Sequence, residues 1–175
     1  MALDFSERTM MLMTELDEES AQIREVYAHF GLAMYLLQCV ERGIAIVLTT
    51  EYGPGIRKIT RSQYDELLQS LFKQTLGTLI ARLRRVTTLP NDFEARLRDV
   101  LETRNWLTHH YFWERAGKFM TQQGREAMLQ ELEEIRRRLE EIDAYFDGIA
   151  GAWAERHGIT KETIDRYKKC LVEEV

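Results

Sequence analysis

The chain has little that would interrupt a helix or cross-link a loop. Two prolines in 175 residues leave long stretches without a helix breaker. Two cysteines, Cys39 and Cys170, lie far apart and without metal-ligand spacing. That count excludes a disulfide-stapled scaffold and a zinc-ribbon site. Nothing in their placement calls for a bridge between them, so a reducing cytoplasm is the expected compartment. Cys39 falls in an apolar helical run and reads as a small buried side chain. A basic leader with an apolar core is missing, since MALDFSERTMMLMTELDEES carries acids early. No stretch approaches the roughly 18 uninterrupted apolar residues of a membrane span, so a soluble chain with no membrane partner is expected. Strand-like alternation, internal repeats and low-complexity linkers are also lacking.

The motifs of several enzyme classes are missing too. There is no glycine-rich phosphate loop, no Gly-x-Ser-x-Gly elbow, no His-Glu-x-x-His zinc pair and no Glu-x-x-His pair of the diiron-bundle kind. Gly53-Pro54-Gly55 lacks the lysine and hydroxyl of a Walker loop and reads as a turn. No metal and no cofactor is expected.

What remains is ordinary globular composition, 45% hydrophobic and 30% charged. The net charge of −5 opposes broad, nonspecific nucleic-acid binding. The charge is uneven, however. Residues 57–115 hold 11 Lys/Arg against 7 Asp/Glu, while the rest of the chain holds 13 against 22. An acidic protein can carry a local anion site in such a segment.

Apolar spacing predicts an all-α fold, an up-and-down bundle of four long helices with short terminal helices. After a short helix near Phe5–Met13, the first long helix runs from about Glu18 to Leu48, with Ile23, Tyr27, Phe30, Met34, Leu37, Val40, Ile44 and Val47 on one face. Gly31 and Gly43 within it would allow close helix packing. The second starts after Thr60, where Gln63 completes a capping box, and continues through Leu71, Leu76 and Leu83 to Val86. Thr87-Thr88-Leu89-Pro90 breaks it, and Asn91 with Glu94 marks a new start. The third runs from about Asp92 to Glu114 or Arg115 on Phe93, Leu97, Val100, Leu107 and Tyr111. The fourth, Thr121 to Arg156, carries a heptad seam of Met128, Leu132, Ile135, Leu139, Ile142, Phe146, Ile149 and Trp153. Packing inside the bundle is the favoured use of that seam, with a coiled-coil dimer as the alternative. His157-Gly158 closes the helix. One domain, residues 1–175, is expected, with its core over about 18–157 and a C-terminal helix over about 160–173. The acids around Glu131, Glu133, Glu134, Glu140 and Glu141 mix with Arg136, Arg137 and Arg138 and read as a solvated, ion-paired face.

One stretch stands apart: Arg104-Asn105-Trp106-Leu107-Thr108-His109-His110-Tyr111. Arginine can grip a phosphate with two hydrogen bonds, and histidine moves protons near neutral pH. Arg104 falls on the apolar stripe between Val100 and Leu107, where it needs a partner, a cavity or an interface, because burying it unpaired would cost several kcal/mol. On an ideal helix Asn105 and His109 share a face, while Arg104 and His109 are displaced by about 140°. A single helix does not converge both on one phosphate. Two copies about a twofold axis would. An aromatic packing face of Trp106, His110 and Trp113 is the plainer reading of the same residues.

The cluster resembles the Arg-x4–6-His signature of the HEPN superfamily (higher eukaryotes and prokaryotes nucleotide-binding), and more narrowly the Arg-x4-His-x-Tyr form of HepT-like toxins. The all-helical layout is similar as well, while the added C-terminal helix departs from a minimal HepT-like domain. The resemblance implies a metal-independent endoribonuclease of a toxin–antitoxin or phage-defence system, with RNA as substrate and a composite site at a homodimer interface. It implies that Arg104 holds the scissile phosphate, that His109 acts as general base or acid, and that Asn105 positions the phosphate or the arginine. His110 is an alternative base. Tyr111 would be the residue modified by a nucleotidyltransferase-type antitoxin. Two further readings stand beside it: a noncatalytic helical module that dimerises or binds a partner, and a nucleotide-binding regulator.

Overall fold

The computed structural model describes the backbone of residues 5–53, 60–163, 165–166 and 169, with side chains from Asp17 onward. Among the described residues seven helices have defined bounds: α1 Phe5–Thr50, α2 Arg61–Phe72, α3 Leu76–Val86, α4 Asn91–His109, α5 Tyr111–Glu114, α6 Ala116–Phe119 and α7 Gln122–Arg156. Helical residues recur at 161–163, 165–166 and 169, and no strand occurs among the described residues. The protein is an all-α helical bundle, as the apolar spacing predicts. Pro54, Gly55, Ile164, Tyr167, Cys170 and Leu171 lie outside the described residues.

Three boundaries differ from the sequence reading. The short first helix and the long one are a single helix, α1, because residues 14–19 contain no glycine or proline to stop it. The predicted second helix is two. Thr75 adopts an extended backbone and its hydroxyl accepts from the Thr78 amide at 3.3 Å, capping α3, while Lys73 caps α2 by donating to the Leu71 carbonyl. The capping box of Thr60 and Gln63 is formed as predicted. The third helix ends at His109, and the chain continues as two single turns, α5 and α6, rather than one rod to Arg115.

The chain forms two compact units, each built from two separate segments. Unit 1 comprises Met1–Gln38 and Arg98–Glu140; unit 2 comprises Cys39–Leu97 and Glu141–Val175. Within unit 1, Val26, Ala33, Leu37, Val100, Leu107, Tyr111, Met128, Leu132, Ile135 and Leu139 are buried. Each such aliphatic side chain contributes about 1.5–3 kcal/mol on leaving water. Tyr27 does not belong to that core. It is 53% exposed, and Val26 and Ala33 take the inward positions instead. Arg125 fastens the start of α7: it is buried, and it donates to Gln22 at 2.7 Å, to Glu19 at 3.2 Å and to the Phe119 carbonyl at 3.0 Å.

Unit 2 buries Val40, Ile44, Val47, Leu71, Leu76, Leu79, Ile80, Leu83, Phe93, Leu97, Ile142, Phe146 and Trp153. A Cβ on Gly43 would stand 3.0 Å from Phe146 Cβ, so this glycine does serve close packing; Gly31 has open space around it. Gly158 turns the chain after α7 with φ +73°, and His157 stacks on Trp153 at 4.1 Å. Cys39 is half-buried and carries a free thiol.

The α7 seam is buried from Met128 to Phe146 and again at Trp153, with Ile149 half-buried. Those side chains are packed within the chain itself. Mean hydropathy adds to the count of consecutive apolar residues. Taken by mean hydropathy, 1.5 over an 18-residue stretch, Asp17–Thr50 is long and apolar enough to cross a membrane, and half of that stretch is buried in the protein. The polar residues that interrupt it hide this from a count of consecutive apolar residues.

Candidate functional site

The cluster lies in unit 1, at the corner where α4 gives way to α5. Leu107 turns inward and is buried, which sets the rotation of the last turn of α4. Asn105, Thr108 and His109 are exposed as a result, and Arg104 is half-exposed. Arg104 is therefore not a buried charge on the apolar stripe. Its Nη1 donates to the Asn105 side-chain oxygen at 3.2 Å. The Thr108 hydroxyl donates back to the Arg104 carbonyl at 2.7 Å, holding the helix turn beneath.

His110 is where α4 breaks. Its amide still bonds to the Trp106 carbonyl at 2.8 Å, but its backbone takes φ −131°, ψ −23°. Its carbonyl then accepts from Glu114 at 2.9 Å and starts a new turn. The break redirects everything after it. Tyr111 stays buried as its spacing predicts, while Trp113, which the sequence sets in line with Trp106 and His110, is exposed. The two imidazoles at the corner are both exposed, with ring centroids 6.2 Å apart.

Aromatic packing holds the corner from below. Tyr111 is 1% exposed and stacks on Phe30 at 5.6 Å, with Trp106 edge-on at 4.9 Å and Phe112 edge-on at 5.2 Å. Its hydroxyl donates to the Met128 carbonyl at 3.5 Å, and burial, with Glu131 nearby, pushes the phenol well above its ordinary pKa. Tyr111 is a neutral core residue here, and its hydroxyl is not presented to solvent.

Arg115 and Glu131, which no sequence spacing brings together, brace the corner from one side with Glu114. Arg115 grips Glu131 with two hydrogen bonds, Nε at 2.9 Å and Nη2 at 2.7 Å, which raises the guanidinium pKa further. The same guanidinium lies 4.9 Å over the Trp106 ring, and the indole N–H donates to Glu114 at 2.8 Å. Glu131 was expected on the solvated face of α7; it is half-buried and ties α5 to α7. Sixteen residues separate it from Arg115, and no spacing rule links them. Further along, Arg136 pairs with Glu133 at 2.5 Å and with Glu140, as a solvated face should.

The structure thus joins Arg104 to Asn105 and sets His109 beside His110. Arg104 and His109 stay on one continuous helix, about 140° apart around its axis. Among the described residues no group of three His, Cys, Asp or Glu side chains is placed to hold a metal ion. No family model, curated protein or solved structure matches this chain.

Proposed function

We propose that the protein is a HEPN-like, metal-independent endoribonuclease that works as a homodimer in the cytoplasm, in a toxin–antitoxin or phage-defence setting. The observation that carries this reading is the corner itself. A guanidinium paired with an amide and two exposed imidazoles project from a helix end that a dense aromatic and ion-paired base holds still. Such rigidity is what positioning catalysis requires.

In this mechanism Arg104 neutralises the scissile phosphate, and Asn105 orients the guanidinium. His109 of one copy, or His110 in its place, takes the proton of the ribose 2′-hydroxyl. The 2′-oxygen attacks phosphorus, the bond to the 5′-oxygen breaks, and an imidazolium from the second copy protonates the leaving oxygen. The products are a 2′,3′-cyclic phosphate and a 5′-hydroxyl. The angular separation of Arg104 and His109 favours two facing copies over one. A modifying antitoxin would have to open the α4–α5 corner to reach the Tyr111 hydroxyl.

Arg104→Ala and His109→Ala should each abolish cleavage of single-stranded RNA while circular dichroism keeps the helical signal. Cleavage that persists in both variants, or that stops only with a chelator, refutes the mechanism. The noncatalytic dimerisation reading loses the seam it would need, since Leu139 and Ile142 are each 1% exposed.

A further inference from the structure

Trp113 is 85% exposed, the most exposed large apolar side chain among the described residues. A single exposed apolar residue needs no explanation in general, but the setting of this one is unusual. Every other aromatic of the corner is engaged: Trp106 by Glu114, Arg115 and Tyr111, Tyr111 by Phe30, and Phe112 by Tyr27, Phe30 and Phe119. Trp113 alone presents its indole to water. Its backbone is nonetheless firmly held. Tyr111 and Phe112 on one side and Glu114 and Arg115 on the other are anchored to α1, α4 and α7, and the α5 turn closes through Glu114 to the His110 carbonyl at 2.9 Å. The plate costs little to order when something lands on it.

The surroundings indicate what lands. Along the chain around it His109, His110, Glu114, Gly117 and Lys118 are exposed, together with Ala116 and Met120, so most of the exposed neighbours in sequence are polar and one is a lysine. A protein partner would want contiguous apolar area around its anchor. An unpaired nucleobase wants one flat aromatic face beside positive charge. Trp113 also follows His110, the alternative general base, by one helical turn, on the short element that His110 initiates.

We infer that Trp113 is a base-stacking platform that holds an unpaired nucleobase next to the scissile phosphate. The inference rests on the ribonuclease reading for its placement, but not for the stacking itself. It makes the substrate single-stranded at the cut, since a paired base cannot offer its face. Sequence preference at that position would be loose, because every base has a π-face.

The test uses full-length protein carrying His109→Ala, so that RNA is bound and not cut, and a fluorescein-labelled 12-nucleotide single-stranded RNA read by anisotropy. Adding Trp113→Ala should weaken binding by about five- to 150-fold, the range for loss of one aromatic–base stack. Trp113→Phe should recover most of it. An RNA with an abasic residue beside the cleaved linkage should bind the His109→Ala protein as weakly as intact RNA binds the doubly substituted one. Combining both changes should add little more, because they remove the same contact. Unchanged affinity in Trp113→Ala overturns the inference, even if Arg104 and His109 prove essential for cleavage. Conversely, Trp113-dependent binding by a protein that never cuts RNA would retain the platform and remove the nuclease. A change in oligomeric mass on Trp113→Ala, with the abasic RNA binding like intact RNA, would assign Trp113 to a protein interface and also overturn it.

Discussion

At the residue scale, the chain separates polar groups that sequence position makes look alike. Arg104 and Arg115 flank the same aromatic cluster, yet Arg115 is locked onto Glu131 and the Trp106 face while Arg104 is half-exposed and donates to Asn105. Asp143 shows the opposite case, a charge held where it is not favoured. Its carboxyl lies near Gly43, where a Cβ would come within 3.9 Å of Oδ1; burial first, then Asp147 one turn on, raises its pKa. A raised carboxyl pKa means that the folded state binds its proton more tightly than the unfolded state does. The group then costs stability once pH passes the ordinary aspartate range, and nothing below it. Asp143→Asn should therefore raise the melting temperature at pH 7, and the gain should vanish near pH 3, where both states are protonated at this site. A gain that is the same at both pH values would show that the cause is not titration.

At the element scale, long periodic segments were legible and their ends were not. The Phe93, Leu97, Val100, Leu107 and Tyr111 stripe and the α7 seam are buried as their spacing requires. Periodicity is a sum over many residues, and single deviations do not erase it. A helix end is decided by one or two residues. Thr75 has the right side chain to cap α3, but no glycine or proline lies between Leu71 and Leu76 to mark the stop. Thr75→Val, which keeps the shape and removes the acceptor, should destabilise the protein by about 1 kcal/mol, seen as a lower urea midpoint with an unchanged slope. His110 carries no breaker signal at all. The turn there is imposed by the inward pull of Tyr111 and Phe112 and by the Arg115–Glu131 pair, contacts far apart in sequence. Hence the cluster could be found by residue type, while its shape could not. The seam also bears a test. Leu139→Asp or Ile142→Asp would bury an unpaired carboxylate at several kcal/mol, so either should cost helical signal by circular dichroism rather than merely shift an oligomer. A fully helical, dissociated variant would argue that the seam is an interface after all.

At the scale of the whole molecule, neither unit is a continuous piece of sequence. The divides at residues 38–39, 97–98 and 140–141 fall inside α1, α4 and α7 rather than in linkers. The sequence gives no sign of this, because composition and helical pattern run unbroken across all three. Unit 1, which carries Arg104 to Trp113, draws its parts from residues 1–38 and 98–140 with the whole of 39–97 between them. Bringing those parts together carries the entropy of closing a long loop, which grows only slowly with length, but it also sets an order in time. On a ribosome adding roughly 5–20 residues per second, the corner residues are synthesised before the α7 residues that brace them, Met128 and Glu131. A growing chain that has already made its arginine and histidines still lacks the floor that Tyr111 and Arg115 need. Under the proposed ribonuclease reading, a chain that ends before α7 would not cut RNA, and activity would arrive only once α7 is made.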